Sequence, residues 1–534
     1  MKSVVARHPG APARIVSLRS FTPADGARHG VACKASEWLR QSSRNLKLRE
    51  DALVDAPEAP WANLRKKNKN EEWRFSATTL GRILGEKPEA LGVGEWASAT
   101  ETSDLASYVA ELAEVPVSDP RFTYSQVLVK DGILVSSPPE GAEGLTVTTA
   151  ASGTGADDVQ EALRFLDEHD TERRGAPQGQ GEDFFDHLGD ALAKEAGSPH
   201  LVLRVGGPDD GKTHVLHLFQ VVPRRTVGST TCWSPRVSVL VEGGRRLVLV
   251  EELIYEDSAG PDLGSGEPLG ARIVLPKTRV YLREGSSLKH TLVHNGSEPK
   301  DVSVRTVQVT QDAGSSYDLL ESRVAFGEGN PSAGGSPSDA SLSRVEVDLW
   351  QAGEGTRTSL NSLSLITTSA AGPGAPSHAG ITHELRTKAR LSHHGGKISQ
   401  VAKMVASGGS SHCIFDGKVD VERYAQETDA AQIARGLLLT KRATINARPN
   451  LRIQADNVVA SHGCTIADLE EEQLFYLASR GLDERTARGV LISSFIREIT
   501  QLFTDDGGGQ GVPFQKLSSR VEASVQRALE LCDL

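Results

Sequence analysis

His462 and Cys464 combine ligand chemistry with useful spacing, lying two positions apart in Ala460-Ser-His-Gly-Cys-Thr465 of this 534-residue chain. If the strand-like run through Val458 extends to residue 464, positions i and i+2 project to one face, and an imidazole stands beside a sulfur. A thiolate next to an imidazole suits iron, zinc or an iron–sulfur cluster. Two ligands do not close a site, so further donors must come from elsewhere in the chain or from a partner subunit. The spacing alone equally allows a packed structural histidine and a buried free cysteine.

Other chemically suggestive residues read as structure. Gly206-x-x-x-x-Gly211-Lys212-Thr213 fits the phosphate-loop pattern, which works by turning loop amides and a following helix N-terminus onto an anion. Here Thr213 to Val221 alternates as a strand, and Asp209 and Asp210 would oppose a triphosphate. The segment is therefore expected to be a hairpin turn, with no nucleotide bound by this chain. His393-His394, next to Gly395 and Gly396, reads as an exposed loop, and His383 and His412 as hydrogen-bonded strand residues. Asp416, Asp420 and Glu422 do not form the grouped acids that a carbohydrate-active enzyme needs.

The elements that must position these residues change character along the chain. The first 35 residues carry Lys2, Arg7, Arg14, Arg19, Arg28 and Lys34 against Asp25 alone, with no long apolar core, the composition of a transit peptide. Residues 36–197 form an N-terminal helical and mixed region, where Leu39, Leu46 and Leu53 recur two helical turns apart. From 198 to 465 the period becomes two, as in Leu201 to Val205, Val237 to Val241, Val302 to Val309 and Ile398 to Val405. So many short strands in one block suit a β-helix, interrupted by Gly- and Ser-rich loops at 327–341 and 369–380. Residues 466–534 return to helix. Asp468 with Glu471 reads as a capping box, Gly481 as a C′ residue, and Asp483 as the cap of a second helix carrying Ala487, Val490, Leu491, Ser494 and Phe495. Phe475, Tyr476 and Leu477 are expected to be core, and a last amphipathic helix runs near Phe514 to Cys532.

Bulk composition narrows the partners. A formal net charge of −11 argues against nucleic acid or an anionic membrane. No apolar run approaches the ~20 residues of a membrane helix. The five cysteines are odd in number and lack a Cys-x-x-Cys pair, which indicates neither a disulfide framework nor a closed zinc site and fits a reducing compartment.

The segments Cys413-Ile-Phe-Asp-Gly-Lys-Val, Tyr424-Ala-Gln-Glu-Thr-Asp-Ala, Gly436-Leu-Leu-Leu, Arg448-Pro-Asn-Leu, Ala455-Asp-Asn-Val, Ser461-His-Gly, Glu472-Gln-Leu-Phe-Tyr-Leu and Arg480-Gly-Leu occur in that order. Together they resemble the SufB/SufD family of iron–sulfur cluster assembly proteins, specifically its SufD branch in the plastid form. The likeness is dense from about Lys397 to Ile499 and faint upstream, apart from Asn70-Glu-Glu-Trp-Arg-Phe75. It implies a mainly β fold, a right-handed parallel β-helix (solenoid) core flanked by N-terminal and C-terminal helical domains. It also implies a non-catalytic scaffold subunit of a SufBCD complex in the chloroplast stroma. The core would pair with SufB, Gln426 to Arg452 lying toward that interface, and the C-terminal helices would dock the SufC ATPase. His462 falls on the family's interface histidine, which implies a transient iron–sulfur cluster or iron held there, with Cys464 beside it. The family often has Cys two residues before that histidine, where this chain has Ala460, and usually has Ala at the position of Cys464. The competing readings are a stand-alone iron or iron–sulfur carrier and a β-helix carbohydrate-active enzyme.

Overall fold

The computed structural model describes residues 79–80, 83, 91–92, 122–130, 133–134, 144–149, 185, 189–190, 200–207, 211–223, 230–255, 271–295, 301–327, 340–368, 380–503 and 514–530. The expected transit segment, the helical repeat of Leu39 to Leu53, the Asn70 to Phe75 motif and the interiors of both Gly- and Ser-rich loops lie outside them.

The frame consists of β1 (Phe122–Lys130), β2 (His200–Val205), β3 (Thr213–Val222), β4 (Arg236–Val241), β5 (Arg246–Tyr255), β6 (Lys277–Leu282), β7 (Ser287–Asn295), β8 (Asp301–Gln311) and β9 (Ser316–Gly327). It continues through β10 (Ser341–Gln351), β11 (Arg357–Thr368), β12 (Ile381–Leu391), β13 (Lys397–Ser407), β14 (Ser411–Val421), β15 (Thr428–Leu438), β16 (Thr444–Ile453) and β17 (Val458–Ala467). Even-numbered strands lie in one sheet and odd-numbered strands in the other. Each strand pairs in parallel with the strand two places on, so the chain crosses from sheet to sheet at every turn. β1, within the segment 36–197, is already in register with β3.

Alternation sorts the side chains. Inward residues such as Ile398, Ala402, Met404 and Ala406 of β13 face Cys413, Phe415, Val419 and Val421 of β14 in the main core. The odd-numbered sheet is covered on its outer face as well. Val250, Val293, Val324, Leu363 and Val405 pack there against the C-terminal helices α2 (Glu484–Thr500) and α3 (Gln515–Glu530). Burial on both faces accounts for near-continuous apolar runs such as Leu363 to Ile366 in a parallel sheet.

Several local expectations are corrected. The Gly206 to Thr213 segment joins no hairpin, because β2 and β3 belong to different sheets. It still leads into a strand, so it lacks the helix on which a phosphate loop depends. The Asp468 capping box does not form. β17 runs on to Ala467, the helix α1 (Glu471–Ser479) takes Glu470 as N-cap without a side-chain bond, and Asp468 accepts from the Leu469 amide instead. Phe475 and Tyr476 are 77% and 56% exposed rather than core. In α2 the buried stripe is Ala487, Ile492, Ile496 and Ile499, with Val490 exposed. Asp483 does cap α2 by accepting from the Thr486 amide, and Gly481 sits at φ +89° after α1.

Candidate functional site

The array ends in two open edges. β16 pairs with β14 and β17 with β15, and no described strand pairs with their other sides. β15, within the segment expected near a partner, is an inner strand, so the free edges are Thr444–Ile453 and Val458–Ala467. The Gln454 amide donates to Val421 O, which turns the even-numbered amides of β16 toward β14 and the odd-numbered ones outward. Pro449 therefore lacks its donor on the open side, where it interrupts no ladder among the described strands.

β17 extends as expected, and it carries both sequence-predicted ligands. Ala460 lies opposite Ala430, His462 opposite Gln432, and Cys464 opposite Ala434. The three β15 residues are buried inward positions, so the even residues of β17 continue interior columns that nothing described covers. His462 and Cys464 thus share one face, with Cα atoms about 7 Å apart. Both are exposed, and Cys464 is a free thiol. Among those residues no group of three or more His, Cys, Asp or Glu is arranged to hold a metal. The pair is a half-site, two soft-to-borderline donors facing out of an uncovered end.

Beneath His462 lies a feature that sequence reasoning missed. Gln432, fully buried, donates from Nε2 to Gln400 Oε1 at 3.0 Å, and Gln400 Nε2 donates to Thr387 Oγ1 at 2.7 Å. Gln400 and Gln432 are register partners, which makes a short amide ladder ending under the histidine. The signal was present in Ile398-x-Gln400-x-Ala402 and Ala430-x-Gln432-x-Ala434, where a glutamine occupies an inward position between small or apolar ones.

Deeper in the core, Glu251 accepts from Thr278, Gln220 and Arg305 and contacts His290 Nε2 at 2.9 Å. Burial alone would raise its carboxyl, but His290, Arg305 and Thr278 outweigh that and hold it at about 2. His412 bonds to Asn446 at 2.6 Å, in line with expectation. His383 does not conform: neither ring nitrogen has a hydrogen-bond partner, although Nε2 lies 3.4 Å from Glu321 Oε1. Burial pushes the neighbouring Cys413 thiol up, so that sulfur is a core residue. His394 stands at an exposed corner, 3.3 Å from Glu427. Asp416 pairs with Arg448, and Asp420 with Arg452 and Lys418, on the outer sheet face; they are not grouped for acid–base chemistry.

The model of the SUF system FeS cluster assembly SufBD core domain matches residues 225–495. Protein ABCI7, chloroplastic, of Arabidopsis thaliana is 36% identical over 270 residues, 51% of this chain and 49% of that protein. An iron–sulfur cluster assembly SufBD family protein of Synechocystis is 31% identical over 266 residues, 50% of this chain and 52% of its own length. Iron–sulfur cluster assembly protein SufD of Escherichia coli is 34% identical over 128 residues, 24% of this chain and 30% of that one. The chain spans about half the length of the first two of these relatives.

Proposed function

The chain belongs to the SufBD core family of the SUF iron–sulfur cluster assembly system, and from that premise we propose that it is the SufD-type scaffold subunit of a plastid SufBCD complex. In this reading the two alternating parallel sheets are a right-handed β-helix whose last strands join SufB. The observation that carries it is the open end itself: edges of β16 and β17 that no described strand pairs, with His462 and Cys464 on one face of β17. Unpaired parallel edges present main-chain donors and acceptors for strand addition, and the partner then supplies the donors that complete the half-site.

His462 contributes a neutral imidazole lone pair to the nascent cluster, and Cys464 stands about 7 Å along the strand as a second soft donor. The cluster is cargo, built at the interface and passed on. Catalysis of ATP hydrolysis falls to SufC, which the helices after β17 dock. The exposed Phe475 and Tyr476 of α1 give that contact its apolar anchors. The stroma is the compartment, as the chloroplastic relative and the basic N-terminal segment suggest.

Co-expression of the mature chain with SufB and SufC, followed by iron and acid-labile sulfide analysis, tests this. His462→Ala is expected to leave the complex assembled while lowering cluster content at least several-fold. Equal loading in an intact mutant complex would remove His462 from the assembly site.

A further inference from the structure

We propose that Gln432 is the positioning residue for His462: its buried carbonyl oxygen accepts a hydrogen bond from the ring N–H and turns the other nitrogen's lone pair out of the open end. This rests on reading His462 as a donor to the cluster.

The amide's orientation is set from behind. Gln432 donates to Gln400, which itself donates to Thr387, so the NH2 group of each glutamine is committed toward the interior. The Gln432 oxygen is consequently left over, buried and without a hydrogen-bond partner. His462 is its register neighbour on the next strand, β17, about 4.8 Å away across the ladder and on the same inward face. A buried acceptor left unmade is costly, and a histidine N–H on the next strand is a donor of the right type within reach by side-chain rotation. Metal-ligating histidines generally give their second nitrogen to such a carbonyl, which fixes the tautomer.

The facing sheet leaves room for this amide. A Cβ added at Gly417 would lie 2.9 Å from Gln432 Nε2 and 2.5 Å from the Phe415 ring. Gly417 thus leaves open the space beside both the amide and the Phe415 ring.

The test compares Gln432→Leu with Gln432→Glu in the full chain. Both remove the amide that donates to Gln400, but only glutamate keeps an acceptor facing His462. The His462 ring signals are identified in 15N-histidine spectra by their loss in His462→Gln. At a pH high enough that the ring carries a single proton, wild type and Gln432→Glu should both hold that proton on the same nitrogen. Gln432→Leu should lower the tautomer ratio about fivefold, the equivalent of one hydrogen bond, and lower iron and sulfide loading of the SufB- and SufC-bound complex about 10-fold or more. An unchanged tautomer ratio in Gln432→Leu overturns the proposal, as it would if water satisfied the carbonyl. Should Gln432→Leu fail to fold, Gln432→Met, close to glutamine in length but without its carbonyl, must shift the ratio in the same direction. Retained loading in His462→Ala would instead overturn the cluster reading, and is distinguishable because the tautomer measurement needs no cluster.

Discussion

At the scale of single residues, the same side-chain type does different things according to which face of which strand it occupies. Cys413 and Cys464 both lie on strands, yet Cys413 is fully buried with its thiol pushed up by desolvation, whereas Cys464 is exposed on the last strand. Burial likewise pushes Cys232 up to about 12. Alkylation with iodoacetamide under native conditions should therefore label Cys464 within minutes and spare Cys232 and Cys413 until denaturant is added, as peptide mass mapping would reveal. Rapid native labelling of Cys413 would contradict the core assignment. The pairing of His462 with Cys464 was legible from spacing, because period two in a strand is a property of the backbone alone. Gln432 was not, since a lone glutamine among alanines acquires meaning only from the strand that stacks on each side of it.

At the scale of elements, the corners are as informative as the strands. Gly244, Gly285, Gly314, Gly355 and Gly395 all adopt positive φ where an even-numbered strand turns into the next odd one. The Gly314, Gly355 and Gly395 amides donate to the following corner, and Glu427, the last residue in the series, adopts φ 56° without being glycine. Its amide donates to Asn457 and its carboxylate faces His394, contacts that help hold a left-handed residue. Gly355 isolates the backbone effect, because a Cβ there would meet nothing within 4 Å at φ +64°. Gly355→Ala should thus cost about 1 kcal/mol, seen as a lower urea midpoint at unchanged slope; no loss of stability would show that the corner relaxes. The repeated glycines were present in the sequence, but their spacing varies with strand and loop length. The alternation of β15 was hidden for another reason: Thr428–Leu438 places Ala430, Ala434 and Gly436 inward, residues whose type suggests no strand. The tight space against neighbouring turns selects them.

For the whole molecule, charge inside the fold decides how stability depends on pH. Burial holds His412 at about 4 and His294 well below 6.5, the latter with help from Arg323 and Arg305. Below pH 6.5 the unfolded chain binds protons that these folded imidazoles refuse, so stability falls as pH drops, and the His412 contribution is complete near pH 4. Glu251 and Glu346 are desolvated, yet their cationic neighbours hold both at about 2. They stabilise the fold above pH 4.5, and that contribution is lost between there and about pH 2. Urea midpoints should accordingly begin to decline below pH 6.5, and His412→Gln should flatten the curve between 6.5 and 4; an unaltered slope would place the titration elsewhere. The sequence by itself determined the parallel-strand character of the core, the helical C-terminal region and the shared face of His462 and Cys464. Each follows from local periodicity and from motifs in fixed order. Only the tertiary structure decided which strands are inner and which are edges, that Phe475 and Tyr476 face outward, and that an amide ladder ends beneath His462. Those depend on which segments stack, and stacking is set by contacts between residues far apart in the chain.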